Sequence, residues 1–434
     1  MYHGSTNSTR PPVVPGLQLI DVSGLTQILE INATEQYVLV EPNVPLDQLV
    51  SATGAPGLVP SVVAEFPGIT VGGAVQGGSG ESSSHRYGLF ADTCLEYEVV
   101  LGDGSLITCS PTEKPDLFAA MSGAFGSLGV LTAVKVKLAP ASRYVALTYI
   151  PTTSHDDMIA KIKQHSKPSV DFIDGILFSP NSGVVIIGKK TDVAPAPPVR
   201  FSRFWDEWLY IHAHDQAKRG GHASEVTPLA DYLFRYDRGA FWVAKYGFGK
   251  APFNRFTRVI FSGIFKTRTL FKLMHSSGYA YVYMAQDICL PSASALDFLD
   301  YCDKNLDVYP LWVCPLRPTD DKLAPTHLQT DIVINVGVWG AMKPAPDNFT
   351  DRNRALEYAV AKLSGRKVLY AHAYYTPDEF WSVYDRKWYE KIRRKYAAGE
   401  VFPDVYRKTV TKPITTTPSR RRGVRGLLKS PYKP

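Results

Sequence analysis

Six glycines and four serines lie within one short run, TVGGAVQGGSGESSSHRYG, from Thr70 to Gly88. A backbone without Cβ atoms can approach another surface closely and aim its N–H groups at an anion. Three uses compete for such a run: a flexible linker, a phosphate loop, or a bed for some other group. A linker is disfavoured because apolar, strand-like sequence flanks the run closely on both sides. The familiar phosphate loops fail as well. There is no GxxxxGKS/T anywhere, and the run lacks the strand–GxGxxG–helix setting and the later acidic residue of a dinucleotide fingerprint. What remains is a long, ordered, glycine-lined segment against which something flat or extended lies.

The sequence around it is rich in strands. QYVLVEPN (37–44) reads as a strand and PLDQLVSATG as a short helix with its proline in the first turn. LEYEVVLGDGSLITCS (95–110) is two β-rich runs joined by Asp103-Gly104, a strong hairpin signal. DLFAAMSGAFGSLG predicts a short helix broken by glycines, and GVLTAVKVKLAP (129–140) alternates with period two. After a Pro-rich connector, VAPAPPV (193–199), the chain becomes aromatic and irregular. Strand-like runs return at DVYPLWVCPLRP and TDIVINVGVWG. The end is helical: RNRALEYAVAKLSG carries a terminal glycine, and Thr376 stands three residues before Glu379 as a capping box.

A chain of 434 residues exceeds the size at which one core keeps growing, so two domains are expected. The boundaries expected are 1–140, 141–410 and a basic tail at 411–434. That tail carries seven Lys or Arg and no acidic residue, which leaves no net charge on the rest of a chain whose total is +7. The basic balance therefore implies a solvated tail, not a nucleic-acid-binding fold. Five widely spaced cysteines with no CxxC favour free thiols over disulfides or zinc. There is no uninterrupted apolar span of roughly 20 residues, so a soluble or peripheral protein is expected.

The motifs, in their order, carry a resemblance. TVGG…GGSGESSSHRYGLF, the VVLGDG hairpin, LFAAMSGAFGSLG and the closing strand resemble the flavin-binding, PCMH-type domain of vanillyl-alcohol-oxidase-like flavoproteins. ESSSHRYGLF, YPLWVCP, DIVINVGVWG and VLYAHAYYTPDEFWSVYDRKWYEKIRRKY…VFPDVYRK are similar to the delta(24)-sterol reductase (seladin/diminuto) family. The likeness is good over about 36–140 and 305–408 and patchier between them.

The resemblance implies an α+β, two-domain flavoprotein with FAD along the glycine-serine run and a substrate-binding cap domain. The positions it assigns to FAD are Thr70, Val71, Gly72, Gly73, Gly77, Gly80, Glu81, Ser82, Ser83 and Gly88, with Gly129 and Val130 further on. It also implies a βα unit before a first phosphate loop, usually preceded by a membrane anchor. Here the chain begins MYHGSTNSTRP, so a FAD domain lacking its first βα unit is expected, with Ser5, Thr6, Asn7, Ser8 and Thr9 as the loop.

The implied activity is reduction of the C24–C25 double bond of a sterol side chain, with NADPH as electron donor. Hydride from reduced flavin would meet one alkene carbon and a proton the other. Candidate proton donors are Tyr370, His372, Tyr374, Tyr375, Tyr384, Tyr389 and Lys391, of which Tyr375, Tyr389 and Lys391 are selected as catalytic. A nearby cation would lower a tyrosine pKa and ease donation. Strand packing is the competing use of VLYAHAYY, and a core stripe that of Trp381, Tyr384 and Trp388. His155, His212, His214 and Asp215 lack metal-site spacing, so no metal is expected. FNRFTRVIFSGIFKTRTLFKLM (253–274) mixes Arg255, Arg258, Lys266, Arg268 and Lys272 with Phe256, Ile260, Phe261, Ile264, Phe265 and Phe271 and has no acid. It reads equally as a membrane-lying segment or a buried helix. The partners expected are a sterol, a membrane surface such as that of the endoplasmic reticulum, and no nucleic acid. The alternatives are an FAD-dependent oxidase or dehydrogenase of an alcohol or hydroxy acid, or a shortened, catalytically impaired relative.

Overall fold

The computed structural model describes residues 8–9, 19–248, 252–281, 283–341 and 349–411. Ser5, Thr6, Asn7 and the basic tail beyond Thr411 lie outside the described residues.

The strands are β1 (Ile28–Asn32), β2 (Tyr37–Val40), β3 (Leu58–Pro60), β4 (Cys94–Val100), β5 (Leu106–Cys109) and β6 (Val130–Pro140), then β7 (Tyr144–Thr152), β8 (Phe172–Ser179), β9 (Ser182–Thr191), β10 (Ala223–Pro228), β11 (Tyr283–Pro291), β12 (Leu311–Leu316), β13 (Val333–Ala341) and β14 (Arg366–Lys367). Among the described residues they build two sheets. The first has the order β1-β2-β6-β4-β5 with β3 also on β6; the second runs β10-β7-β9-β8-β12-β13-β11-β14. All the pairings are antiparallel.

Strand β6 is the spine of the first sheet. From Val134 on it alternates as its sequence requires, Val134, Val136 and Leu138 inward and Lys137 out, whereas Val130 and Leu131 are both buried. The Asp103-Gly104 turn joins β4 and β5, and Gly104 takes a left-handed φ of 84° there, which glycine adopts without strain.

The glycine-serine run resolves into two short helices, Val71–Gly77 and Ser84–Tyr87. Thr70 caps the first by accepting the Gly73 N–H at 3.2 Å, and Gly78 ends it in the left-handed region. Glycine's poor helix propensity hid this helix; the cap at each end was its signal.

In the second sheet the period of two divides labour. Ile288, Leu290, Val313, Ile334, Val336 and Val338 turn to one face and pack under the helices His155–His165, Ala295–Asn305 and Phe349–Lys362. Cys289, Trp312, Cys314 and Trp339 turn to the other face and join the core of the first sheet. The two sheets thus face each other across one apolar interior.

The run between them is fastened at its serine end. Ser82 O accepts from Ile173 N of β8 at 2.8 Å, Ser84 O accepts from Arg317 N at 2.9 Å, and Arg86 pairs with Asp171 at 2.7 Å. Behind this seam lies a fully buried ionic cluster. Asp174 Oδ2 accepts from Arg235 at 2.9 Å, from the Tyr236 hydroxyl at 2.9 Å and from the Trp312 indole at 3.0 Å. The Arg235 guanidinium lies over the Tyr232 ring at 4.1 Å, and the Tyr232 hydroxyl meets Ser82 Oγ at 3.0 Å.

All five cysteines are buried free thiols. His155 bonds Asp300 and Tyr309, and His212 bonds Glu225, so both are fastened within the structure. No described helix is long and apolar enough to cross a membrane.

Breaking one side of a buried ion pair leaves an uncompensated charge, at a cost of roughly 3–5 kcal/mol. Asp174→Ala is therefore expected to lower unfolding free energy by about that amount, read from denaturant midpoints, and to weaken Trp312 packing.

Candidate functional site

A cavity of about 530 Å³ opens between the two sheets. One wall is the first half of the glycine-serine run, with Gly72, Gly73, Gln76, Gly77, Gly78, Ser79 and Gly80, beside Pro42, Asn43 and Glu65. The opposite wall comes from the second sheet and the stretch just after β14: Asp287 and Cys289 of β11, Trp312 of β12, Asn335 and Trp339 of β13, and Val368 and Tyr370. Arg407 and Lys408 add positive charge to the lining.

The glycines divide into two kinds. At Gly77 an added Cβ would meet no atom within 4 Å, so its backbone faces open space, whereas at Gly73 it would press to 3.0 Å on the capping Thr70 Oγ1. Gly72, Gly80, Gly88 and Gly129 are glycine for internal fit. Their Cβ atoms would fall 2.7 Å from Pro42 Cβ, 3.1 Å from Leu89 Cδ2, 2.2 Å from Asp92 Oδ2 and 2.4 Å from Val99 Cγ1.

The aromatic wall is held from behind. Register pairs Asp287 and Trp312 across Gly337, where a side chain would come within 2.9 Å of Asp287 Oδ1 and 3.2 Å of Trp312 Cβ. That missing side chain gives the carboxylate and the indole their room. Phe241 packs 5.4 Å from Trp312, 5.3 Å from Trp339 and 5.5 Å from Phe66, joining the irregular middle segment to both walls.

Two acids face the cavity in different states. Asp287 is satisfied: its Oδ2 accepts from the Tyr370 hydroxyl at 2.7 Å and its Oδ1 from Asn335 Nδ2 at 3.3 Å. Burial lifts its pKa to about 6 against the hydrogen bonds from Tyr370 and Asn335. Glu65 is not satisfied: its Oε2 is buried with no hydrogen-bond partner among the described residues. Burial pushes Glu65 up to about 8 against a hydrogen bond from its own backbone N–H, with Asp287 and Glu81 adding to the rise and Arg235 opposing it. Asn43 Oδ1 is a second buried acceptor without a partner on this wall.

The expected site residues fall into three places. Ser8, Thr70, Gly72, Gly73, Gly77 and Gly80 line the cavity. Thr9, Val71, Glu81, Ser82, Ser83, Gly88, Gly129 and Val130 do not. Thr9 Oγ1 accepts the His372 N–H at 3.1 Å; Glu81 accepts from Ser82 Oγ at 2.6 Å and Ser83 N at 2.9 Å; and Ser83 Oγ donates to Ser61 O at 2.7 Å.

Tyr375, Tyr389 and Lys391 are also outside the cavity lining. The Tyr389 hydroxyl accepts the Val405 N–H at 2.8 Å, and Lys391 is exposed on the helix Arg386–Lys395. Lys367 lies 5.7 Å over the Tyr375 ring, yet burial holds the Tyr375 pKa well above the usual range. Desolvation outweighs the cation, the reverse of the sequence expectation. Tyr370 alone of the candidate donors lines the cavity. Glu65, Asp287, Asn335 and Trp339 were missed; lone acids in the apolar runs SVVAEFPG and YMAQDICLP were the available signal.

Bare glycine backbone, an unpaired amide oxygen at Asn43 and the cations Arg407 and Lys408 fit a flat, anionic, hydroxyl-rich nucleotide. Residues 3–110 match a family model described as an FAD binding domain. The chain is an α+β, two-domain flavoprotein, an FAD-dependent oxidoreductase. It is similar to delta(24)-sterol reductase of Homo sapiens, 32% identical over 399 residues that cover 88% of this chain and 76% of the human one. The Pisum sativum delta(24)-sterol reductase is 29% identical over 432 residues, covering 90% and 76%, and a Caenorhabditis elegans homolog is 27% identical over 413 residues, covering 88% and 77%. The chain belongs to the delta(24)-sterol reductase family.

Gly77 lines the cavity, and a side chain there meets no protein atom within 4 Å at its Cβ. Gly77→Leu is expected to melt near the wild-type temperature yet raise the FAD dissociation constant at least about tenfold. Gly72→Ala, forced against Pro42, should instead lose roughly 1–3 kcal/mol of stability. Thermal melts and flavin fluorescence titrations separate the two.

Proposed function

We propose that this protein reduces the C24–C25 double bond of a sterol side chain, with NADPH supplying electrons through FAD. The observation that carries the reading is one cavity whose first wall is bare glycine backbone and whose second is aromatic. Thr70, Gly73, Gly77, Asn43, Ser8 and Lys408 would hold the flavin; Phe66, Trp312, Trp339 and Tyr370 would bound the apolar side chain beside it. FAD supplies hydride chemistry, and the chain's own residues orient the alkene, exclude water and deliver a proton. The domain division proposed is 1–140 for FAD and 141–410 for substrate, with the basic tail beyond.

The sterol would arrive from a membrane, and we place the enzyme at the endoplasmic reticulum surface. The segment 253–274 supports this in a modified form. Phe265 and Phe271 turn inward, whereas Phe253, Phe256, Ile260, Phe261 and Ile264 are exposed, Phe256 by 72%. Exposed Phe204 and Trp205 add to the apolar surface of this irregular region, which Arg258 ties together through Glu207 at 3.4 Å. Arg255 and Lys266 are exposed, while Arg268 turns to Asp47 at 2.8 Å. Apolar and basic groups together suit an interfacial segment. The following helix packs Phe271 6.2 Å from Phe66, a cavity residue, so the patch adjoins the proposed sterol wall.

Two measurements test these readings. Anaerobic NADPH should bleach the bound flavin and a C24-unsaturated sterol should restore its colour. Rapid reoxidation by oxygen with no response to sterol would point to an oxidase instead. The double variant Phe256→Asp with Ile260→Asp is expected to lose sedimentation with phosphatidylcholine–phosphatidylserine vesicles. Retained sedimentation would remove the membrane reading while leaving the reductase one.

A further inference from the structure

The alkene reduction proposed above needs a proton, and none of Tyr375, Tyr389 and Lys391 lines the cavity. Of the groups that do, each must be asked whether it holds a proton and whether that proton is free to leave. The Tyr370 hydroxyl donates to Asp287, and burial, then the Asp287 charge, raise its pKa well above the tyrosine range. A phenol engaged in this way gives up its proton poorly. Asp287 accepts from two donors, which is the hydrogen-bond pattern of a carboxylate. Cys289 is a buried thiol whose pKa burial raises beyond the usual range, and its Sγ already contacts Asn335 Oδ1.

Glu65 differs from all of these. It lies on the glycine wall, facing the cavity that Asp287 and Tyr370 face from the other side, and its Oε2 is buried with no partner among the described residues. An ionised carboxylate left in that position would have its own backbone N–H as donor but keep Oε2 buried and unpaired, whereas a carboxylic acid there carries one O–H to give. We infer that Glu65 is the proton donor of the reduction, transferring its proton to the alkene carbon that does not receive the hydride.

The inference rests on the reductase reading, and its balance is simple. The alkene π pair forms the new C–H bond to the Glu65 proton, leaving a carboxylate. The other alkene carbon gains hydride, with its electron pair, from the reduced flavin. Two electrons and two hydrogens reach the substrate, the flavin ends oxidised, and Glu65 regains its proton from solvent before the next turnover. Asp287 and its Tyr370 partner are positioning residues: burial keeps Glu65 protonated, the negative charge across the cavity adds to that, and Tyr370 holds the charge in place.

The charged and titratable groups around Glu65 are Asp287 and Tyr370 on the far wall, Glu81 on the run, Cys314 on β12 and Arg235 behind it. These fix the sign of the pH dependence. Glu65 is an acid below about pH 8, so proton donation is present at neutral pH and is lost as pH rises through that value.

The test uses the FAD-loaded enzyme in two half-reactions. In Glu65→Gln, flavin reduction by NADPH should keep its wild-type rate, while reoxidation by a C24-unsaturated sterol should fall by about 100-fold or more. Wild-type reoxidation should decline above about pH 8, and Glu65→Asp should restore part of the rate. Infrared spectroscopy of the wild type with isotope-labelled glutamate should show a carboxylic-acid carbonyl band that titrates near the same pH, a readout independent of turnover and of how the variants fold. A Glu65→Gln variant reoxidised within about threefold of the wild-type rate, or a wild type lacking that band, overturns the proposal. A wild-type flavin that no C24-unsaturated sterol reoxidises overturns the reductase reading itself.

Discussion

Asp174 organises the interior. A single oxygen of this buried carboxylate on β8 accepts from the adjacent Arg235 and Tyr236 and from Trp312, which joins three separate stretches of the chain. Trp312 is a wall of the cavity; Arg235 and Tyr236 belong to the irregular aromatic segment, whose strand pairing is limited to β10. Through Tyr232 the same cluster reaches Ser82 and so the end of the glycine-serine run. One desolvated charge therefore holds the cavity's two walls and the segment behind them in a common frame. Burial makes such a cluster demanding, because every member left unpaired costs several kcal/mol.

The run itself is two devices. Its glycine half lines the cavity, with open space beside Gly77. Its serine half spends its hydroxyls, its carboxylate and its carbonyls on the protein, docking the first sheet onto β8 and β12. Bare backbone receives the cofactor, and the polar residues that look equally suited to phosphates set the angle between the sheets. Across the cavity, alternation along β11, β12 and β13 sends aliphatic residues into the helix-covered core and Asp287, Trp312 and Trp339 toward the site. Gly337 makes the site face possible by leaving out the one side chain that would fill it.

Local signals were legible where the physics is local. The Asp103-Gly104 turn, the period of β6 and the Thr376–Glu379 capping box all depend on residues within a few positions of each other, and each appears as expected. The helix Val71–Gly77 was not legible, since three of its seven residues are glycines, and it is held by Thr70 and by hydrogen bonds to Pro42 and Val44. Phe265 and Phe271 could not be told from Phe256 and Phe261 by composition, because only packing decides which side of a short helix meets the body. The same is true of the tyrosines near the C-terminus. Five tyrosines were candidate donors alongside His372 and Lys391, and of all seven one, Tyr370, lines the cavity.

By itself the sequence determined the fold class and the family, because both rest on motifs whose order and spacing survive in one dimension. It also determined that a stretch of backbone must stay bare. Only the tertiary structure decided which glycines face open space, and only it paired Glu65 on one wall with Asp287 on the other. A carboxyl group's protonation depends on burial and on neighbours more than 200 positions away, and neither is written in the residues beside it.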